Sequence, residues 1–462
     1  MNTLKKQAGK VWRLTAFYVV IMLLSFSLNS YAADVKTLVS KVIEGNYDLK
    51  QVQVFSQQAE QQNKFAKRQF YPKASLEMSL VRSDDPVFSF GSYLRQERFT
   101  EANFKVDSLN HPSPTDDFTA SVSVGVPIYT AGKLSYGIKS AKTNMAQANH
   151  REIIVKKQLI LQVLDRYFSA VRDKAVIAAA AETEKSAQAE IKDASNLASR
   201  GMEPGAEYYG AAAVKHAISA RRIEAESGYE NAVSALALMA GEDKKYFAID
   251  GAMSEKEYSV ESVETLINNA VKERSDINIA RLEHSSLKDA HEVEKNNILP
   301  SVQAFGKIQT DSYQMTYMPD HYTIGLQLTM NFLDPAHGAK VDMIESQYKQ
   351  ADAKISSIAE MAAIEVSNAY NNYKASIKAL TEMRNAKDQA LKSVKMMRIL
   401  YKQGRISVID MLRAEDQLLS VQSAFYKTVY NMNMAYVSLM AVSGELSLDT
   451  VDNINNLSAE AR

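Results

Sequence analysis

This chain of 462 residues carries one pattern twice. Leu38-Val39-Ser40-Lys41-Val42 with Asp48 corresponds to Leu266-Ile267-Asn268-Asn269-Ala270 with Asp276, an offset of 228, and Pro72 stands to Pro300 at the same offset. Further on, Gly201 corresponds to Gly404 and Gly241 to Gly444, both at an offset of 203. Self-similarity of this kind marks a repeat architecture and decides more than any single motif. The change of 25 in the offset falls mainly between Pro72 and Pro127, so the loop from about Ser83 to Asp117 is longer than its counterpart at Asp311 to His321. Each copy reads in the same order: helix, strand, loop, strand, very long helix, turn, helix.

The long helices follow from what is missing. Glycine (17) and proline (9) together make only about 6 % of the chain, against roughly 12 % in average proteins. Turns are therefore few. From Val341 to Gln403 neither residue occurs, a run of about 95 Å at ~1.5 Å per residue. Ile344, Tyr348, Ala351, Ile355, Ile358, Ala362, Val366, Ala369, Tyr373, Ile377 and Leu380 step along it by threes and fours, the spacing of a coiled-coil seam. The first copy has a matching run from about Lys139 to Arg200, with Ala175 and Ala178 to Ala181 giving room for close helix approach. Glycines at 201, 404, 241 and 444 are natural helix stops. Pro72 and Pro300 end the first helix of each copy where it must become a strand.

The strands rest on strict alternation. Phe118, Ala120, Val122, Val124, Val126 and Ile128 alternate with polar or small residues, as do Tyr322, Ile324, Leu326, Leu328, Met330 and Phe332. Weaker strands precede them at Ala74 to Leu80 and Val302 to Ile308. Segments of about ten residues suit a tilted strand crossing a bilayer; a half-buried antiparallel sheet in a soluble protein is the rival reading. In hydrocarbon the four strands have to close into a barrel. Four are too few, and eight leave an interior filled by side chains. Twelve strands from three chains are the smallest closure that leaves a water-filled lumen, lined here by Ser, Thr, Gln and Gly.

Residues 1–32 read as a secretory leader, with Lys5, Lys6, Lys10 and Arg13 before an apolar stretch from Leu14 to Leu28 and with Ser30-Tyr31-Ala32 at the cleavage site. The apolar run is short for a spanning helix. Removing the leader takes the net charge from zero to −4 and removes the single tryptophan, Trp12. That balance argues against a nucleic-acid partner. No cysteine is present, which rules out disulfides, thiol catalysis, thiolate zinc sites and a cysteine-linked lipid anchor.

With this order of elements, the chain resembles the TolC family of outer-membrane efflux and secretion proteins. The resemblance runs from about Val35 to Gly444 and rests on the duplication, on Pro72 and Pro300, on the glycine turns and on segments such as Val126-Pro127-Ile128-Tyr129-Thr130-Ala131-Gly132. It implies a mostly α protein with a β-barrel section. In that fold each of three chains gives four strands to a shared twelve-stranded transmembrane barrel, and long coiled-coil hairpins form a periplasmic tunnel. The implied organisation is a signal peptide (1–32), a first repeat (33–241), a linker in the equatorial belt (242–262), a second repeat (263–444) and a C-terminal tail (445–462). It also implies an outer-membrane location in a Gram-negative bacterium. The implied partners are a homotrimer, the lipid around the barrel, a periplasmic adaptor (membrane fusion protein) and an inner-membrane RND or ABC transporter.

Family function resides at the hairpin tips. The resemblance places adaptor contacts at Gly201, Pro204, Gly205, Gly404, Ser407 and Val408. Asp410 matches a lumen-facing acidic ring, and Arg413 stands where some members have a second aspartate; an i, i+3 pair between them would neutralise the ring. Glu207 matches an acidic residue that holds the gate shut in some relatives by pairing with an arginine and a tyrosine. Tyr401 is present, Ile406 occupies the arginine position, and Arg405 is the nearest cation, so a Glu207–Arg405 lock with Tyr401 beside it is expected.

No enzyme constellation is present: there is no Walker A loop, Gly-x-Ser-x-Gly or His-Glu-x-x-His. No cofactor is called for. His284 and His291, seven apart on one helical face, lack a third ligand and read as an exposed heptad pair. Met396, Met397, Met432, Met434 and Met440 read as packing before they read as a copper relay. The expected function is a passive exit duct for a tripartite efflux system moving small molecules or metal ions. The alternatives are the outer-membrane part of type I protein secretion and a periplasmic coiled-coil adaptor or scaffold.

Overall fold

The computed structural model describes residues 31–32, 35–198, 205–249, 251, 253–315 and 317–459. The first copy runs β1 (Tyr31–Ala32), α1 (Val35–Gly45), α2 (Tyr47–Arg68), β2 (Lys73–Ser83), α3 (Pro86–Arg95), α4 (Val106–Asn110), β3 (Thr115–Tyr129), α5 (Lys133–Ala198) and α6 (Gly205–Met239). After β4 (Phe247–Ala248) the second copy follows with α7 (Val263–Glu273), α8 (Ser275–Lys295), β5 (Ser301–Ser312), β6 (Asp320–Thr329), α9 (His337–Lys402) and α10 (Val408–Val442), and α11 (Leu448–Ala459) closes the chain. The leader up to residue 30 lies outside the described residues; Tyr31–Ala32 pair in parallel with Phe247–Ala248. Each opening helix is two helices, not one. Asn46 breaks the first, its side chain accepting from the Leu49 N–H at 3.0 Å, and Arg274 stands at the second break.

Both long helices have 66 residues, about 99 Å at ~1.5 Å per residue. Their ends are local chemistry. α9 stops because Gly404 adopts φ +70°, a conformation that costs glycine nothing. The Arg405 N–H then bonds the Leu400 carbonyl (2.9 Å) and the Gly404 N–H the Tyr401 carbonyl (2.8 Å), the paired bonds of a Schellman cap. Gly241 and Gly444 end α6 and α10 with the same pair of bonds.

The chain divides into two compact units. One holds Val52–Arg151 and Asp276–Ile358 and contains the four-stranded sheet, in the order β2-β3-β5-β6, every pair antiparallel. Register aligns like with like. Leu76 faces Val122, which faces Ile308, which faces Tyr322. On the next rung Ser75, Ser123, Lys307 and Thr323 line up. Because successive side chains point to opposite faces, one face carries Leu, Val, Ile and Tyr across all four strands and the other carries Ser, Thr, Gln and Lys. The apolar face is bare in the single chain: Leu326 is 72 % and Ile324 80 % exposed. β2 and β6 each have one neighbour, so both edges are unpaired. Pro72 and Pro300 stand one residue before β2 and β5. The register shifts between Pro127 and Tyr129, where the proline has no N–H to give.

The other unit has its core where both long helices pack with α1, α6, α7, α10 and α11, around Phe168, Leu236, Leu266, Tyr373, Phe425 and Val437. The stretch read as a linker is tied into this core. Tyr258 is buried, its ring stacked on Tyr436 at 4.1 Å. Its hydroxyl donates to Asn433 Oδ1 at 2.5 Å, while the Tyr373 hydroxyl accepts from the Tyr258 N–H (2.7 Å) and donates to its carbonyl (2.8 Å). Burial pushes both tyrosine hydroxyls well above their ordinary range. The C-terminal segment is helix α11, with Val451 and Ile454 buried and Asp452 paired to Lys36 at 2.8 Å.

Candidate functional site

Two regions gather charged and polar side chains. The first lies at one end of the sheet's polar face. The segment between β2 and β3, read from sequence only as a longer loop, contains α3. Asp85 caps that helix, accepting from the Phe88 N–H at 2.7 Å, and Pro86 opens it. From its end Arg95 reaches Asp117 (3.1 Å) and Asp311 (3.2 Å). Both carboxylates belong to the polar face and are almost wholly buried, Asp311 at 0 % exposure. Ser92 (2.9 Å) and Gln96 (2.8 Å) complete the shell of Asp117, and Thr119 (3.0 Å) and Gln309 (2.9 Å) that of Asp311. The β5–β6 connection and the start of β6 join the same cluster. His321 Nε2 lies 2.8 Å from the Arg95 carbonyl, Tyr317 bonds Glu97, and the Arg98 guanidinium sits 4.0 Å over the Tyr313 ring. A buried carboxylate is tolerable only when paired and hydrogen-bonded, so Arg95 is what holds the inserted segment over the polar face.

The second region is the pair of helix-hairpin tips. Gly201 and Pro204 lie outside the described residues, and α6 begins at Gly205. Here α6 and α10 meet closely. A β-carbon on Gly210 would come within 2.5 Å of Ile409 Cδ1. Around this approach Ala180, Ala187, Ala211, Ile218, Leu412 and Leu419 form a small core.

Val408 belongs to that core, at 1 % exposure. Its side chain packs the tip of the single chain. Val408, Met411, Leu412 and Leu419 repeat at helical spacing, and that signal was available. Ser407 is a cap: its hydroxyl accepts from the Asp410 N–H (3.2 Å) and donates to the Asp410 carboxylate (2.9 Å). The exposed part of the second tip is Lys402-Gln403-Gly404-Arg405, with Asp410 and Arg413 further on. Among the described residues of one chain no ion pair joins Asp410 to Arg413 or Glu207 to Arg405.

Sequence reasoning missed what links the two hairpins. Glu415 of α10 is buried. One of its oxygens accepts from Ser186 of α5 (2.9 Å) and Arg398 of α9 (2.5 Å), and the other has no partner among the described residues. Arg221 of α6 pairs with Asp416 of α10 at 2.7 Å. Within the first hairpin Glu184 accepts from Ser219 (2.5 Å) and Arg222 (2.8 Å). The Ser219 bond foremost, then the Arg222 charge, holds the Glu184 carboxyl below its usual range. Its contribution to stability is present above the ordinary carboxylate range and is lost as pH falls through the lowered value. A glutamate at position 415, in register with Leu412 and Leu419, was the one visible signal of these links.

The histidine pair reads differently in three dimensions. His284 and His291 of α8 both meet the Tyr348 ring edge-on, at 6.0 and 5.4 Å, and His291 is buried. The heptad pair is thus a packed seam, not an exposed one. Met432 and Met440 are core residues, and Met396 is exposed. Among the described residues no group of three or more histidines and carboxylates is placed to hold a metal ion. No described helix is long and apolar enough to cross a membrane.

The profile of the outer membrane efflux protein family matches residues 38–242 and 266–445, which takes in both copies. The chain belongs to that family. This outer membrane efflux protein is accordingly a transport duct and not an enzyme, located in the outer membrane and extending into the periplasm. Members are trimeric channels that work with periplasmic adaptors and inner-membrane pumps. Solved structures repeat its fold. The CmeC outer membrane channel of Campylobacter jejuni is 17 % identical, with a TM-score of 0.75 over 93 % of this chain and 90 % of that one. VceC of Vibrio cholerae is 16 % identical, with a TM-score of 0.72 over 89 % and 96 %. The open state of the Neisseria gonorrhoeae MtrE channel is 15 % identical, with a TM-score of 0.74 over 90 % of each. By sequence, no curated protein matches this one.

Proposed function

We propose that three copies of this efflux protein share one barrel, β2 of each chain pairing with β6 of the next. On this reading the duct passively conducts small molecules or metal ions delivered by a periplasmic adaptor and an RND or ABC transporter. The supporting observation is the sheet: a continuous apolar face, a continuous polar face and two unpaired edges. Unpaired backbone groups are expensive in hydrocarbon, and twelve strands leave the polar face around a lumen. The halves 33–241 and 263–444 each supply two strands and one long hairpin, with 242–262 and the C-terminal segment 445–462 as the belt between them. Photo-crosslinkers at Gln403 and Arg405 in living cells should capture an adaptor. The pump that co-purifies with it then separates efflux from type I protein secretion. Recovery of no adaptor from assembled trimers would remove these tip assignments and revive the scaffold reading.

The tips form the gate in this proposal. Glu207 of one hairpin pairs with Arg405, with Tyr401 alongside, and the three copies of Asp410 ring the constriction, with Arg413 one turn on. Gly205, Gly404, Ser407 and Val408 shape the adaptor surface, together with Gly201 and Pro204. One exposed ion pair is worth only ~0–1 kcal/mol, so the lock depends on threefold repetition. Arg405→Ala is expected to raise the single-channel conductance of purified trimers in planar bilayers. Unchanged conductance would remove Arg405 from the gate.

A further inference from the structure

The sheet's polar face is hollowed near its α5 end into a cavity of about 720 Å³. Its floor is small: Ser75 faces Ser123, and the next rung pairs Lys73 with Gly125. Gly125 leaves room there for the Gln303 side chain, whose amide nitrogen lies 2.7 Å from where a β-carbon would stand. Three lysines rim the hollow. Lys73 extends from β2, Lys307 from the adjoining rung of β5 and Lys133 from the first turn of α5. Lys73 donates to the Gln69 side-chain oxygen at 2.7 Å, a neutral partner. Lys133 and Lys307 have no carboxylate partner among the described residues, and no acidic residue lines the cavity. Beside the lysines lie apolar walls, the Phe305 ring, Pro127 and Leu134.

Charge on this face is thus sorted along the strands. At the far end Asp117 and Asp311 are consumed by Arg95 and its amide and hydroxyl neighbours. Glu77, level with Ser121, is the one other carboxylate on the polar face of β2, and it lies outside the cavity. Lining of a single sign in a concave wall raises the local concentration of counter-ions. Three ammonium groups beside an aromatic and an aliphatic wall fit a small organic anion, with its charged end on the lysines and its body on Phe305 and Leu134.

We infer that this cavity is a transit subsite for small organic anions bearing a carboxylate, sulfonate or phosphate, and that Lys73, Lys133 and Lys307 make the barrel section anion-selective. The inference rests on the duct reading, which turns the polar face into the lumen, and it narrows the cargo from small molecules or metal ions to anions. Threefold assembly places nine such lysines around the bore.

The test uses purified trimers in planar bilayers under a potassium chloride gradient. Asp410→Asn serves as the background, so that an acidic ring at the tips does not mask the barrel. The expected reversal potential has the sign of chloride preference. The triple substitution Lys73→Gln, Lys133→Gln and Lys307→Gln should lower the chloride-to-potassium permeability ratio by at least about threefold, whereas Lys307→Arg, which keeps the charge, should leave it unchanged. 1-Naphthalenesulfonate should reduce the current through the Asp410→Asn channel and not through the channel that also carries the three glutamines. Benzyltrimethylammonium should reduce neither. Cation preference in the Asp410→Asn channel, or a ratio untouched by the triple substitution, would overturn the subsite. Failure of the Asp410→Asn protein to conduct even when Arg405→Ala is added to release the lock would overturn the duct reading instead.

Discussion

Leu326→Arg should nearly abolish the mature trimer in the outer membrane, while Gln327→Arg, one residue on, should leave it close to normal. Leu326 stands at the centre of β6, opposite Ala304 on the apolar face, and Gln327 stands opposite Gln303 on the polar face. A guanidinium placed in hydrocarbon near the bilayer midplane costs about 2–4 kcal/mol, and the threefold barrel repeats that cost in every chain. The same group in a water-filled lumen remains hydrated. The measurement is the amount of heat-modifiable trimer in outer-membrane fractions. Equal loss in both variants would mean that the two faces are not in different solvents.

A comparable loss is expected inside the helical unit, for a different reason. Asn433 is completely buried and bonds three groups: its amide donates to the Ser254 (2.9 Å) and Val429 (2.8 Å) carbonyls, and its oxygen accepts from Tyr258. Asn433→Ala strands the Tyr258 hydroxyl and the Ser254 carbonyl away from water. Each unsatisfied buried group costs ~1–3 kcal/mol, so a total loss of about 2–6 kcal/mol is expected. Tyr258→Phe should cost less, because it strands only the asparagine oxygen. Combining Tyr258→Phe with Asn433→Leu should recover part of the loss, since both partners are then apolar. Thermal unfolding of the detergent-solubilised trimer reads these variants and Asn433→Leu alone, and strict additivity of Tyr258→Phe and Asn433→Leu in the double variant would show that the bond carries no coupling energy.

Helix and strand were legible where a periodic signal ran unopposed. Val341 to Gln403 has no breaker, and all of it but Gln403 folds as part of one helix, in which Ala362, Val366, Tyr373 and Leu380 are buried as the seam spacing requires. The alternation from Phe118 to Ile128 placed β3, which extends further, from Thr115 to Tyr129. What escaped was structure whose cause lies far along the chain. α3 owes its place to Arg95, whose partner Asp311 is 216 residues away; nothing within residues 84–114 announces that bond. Tyr258 sits in a stretch with no period at all, and its partners Tyr373 and Asn433 come from two different helices. At the tips, the burial of Val408 follows from its register with Met411, Leu412 and Leu419, which gives it an apolar pocket to fill. The ion links through Glu415 and Arg221 are likewise tertiary, and only the misfit of a glutamate on an apolar stripe hinted at the first.

The absence of cysteine makes the most direct test of the central claim practicable, since each introduced thiol is then the only one. Single cysteines at positions 322 to 329 of β6, labelled in intact trimers with a membrane-impermeant maleimide, report which side chains meet water. The lumen-and-lipid account predicts a period of two: Thr323, Gly325, Gln327 and Thr329 positions labelled, Tyr322, Ile324, Leu326 and Leu328 positions protected. Uniform labelling along the strand, or labelling of the apolar set, would contradict it.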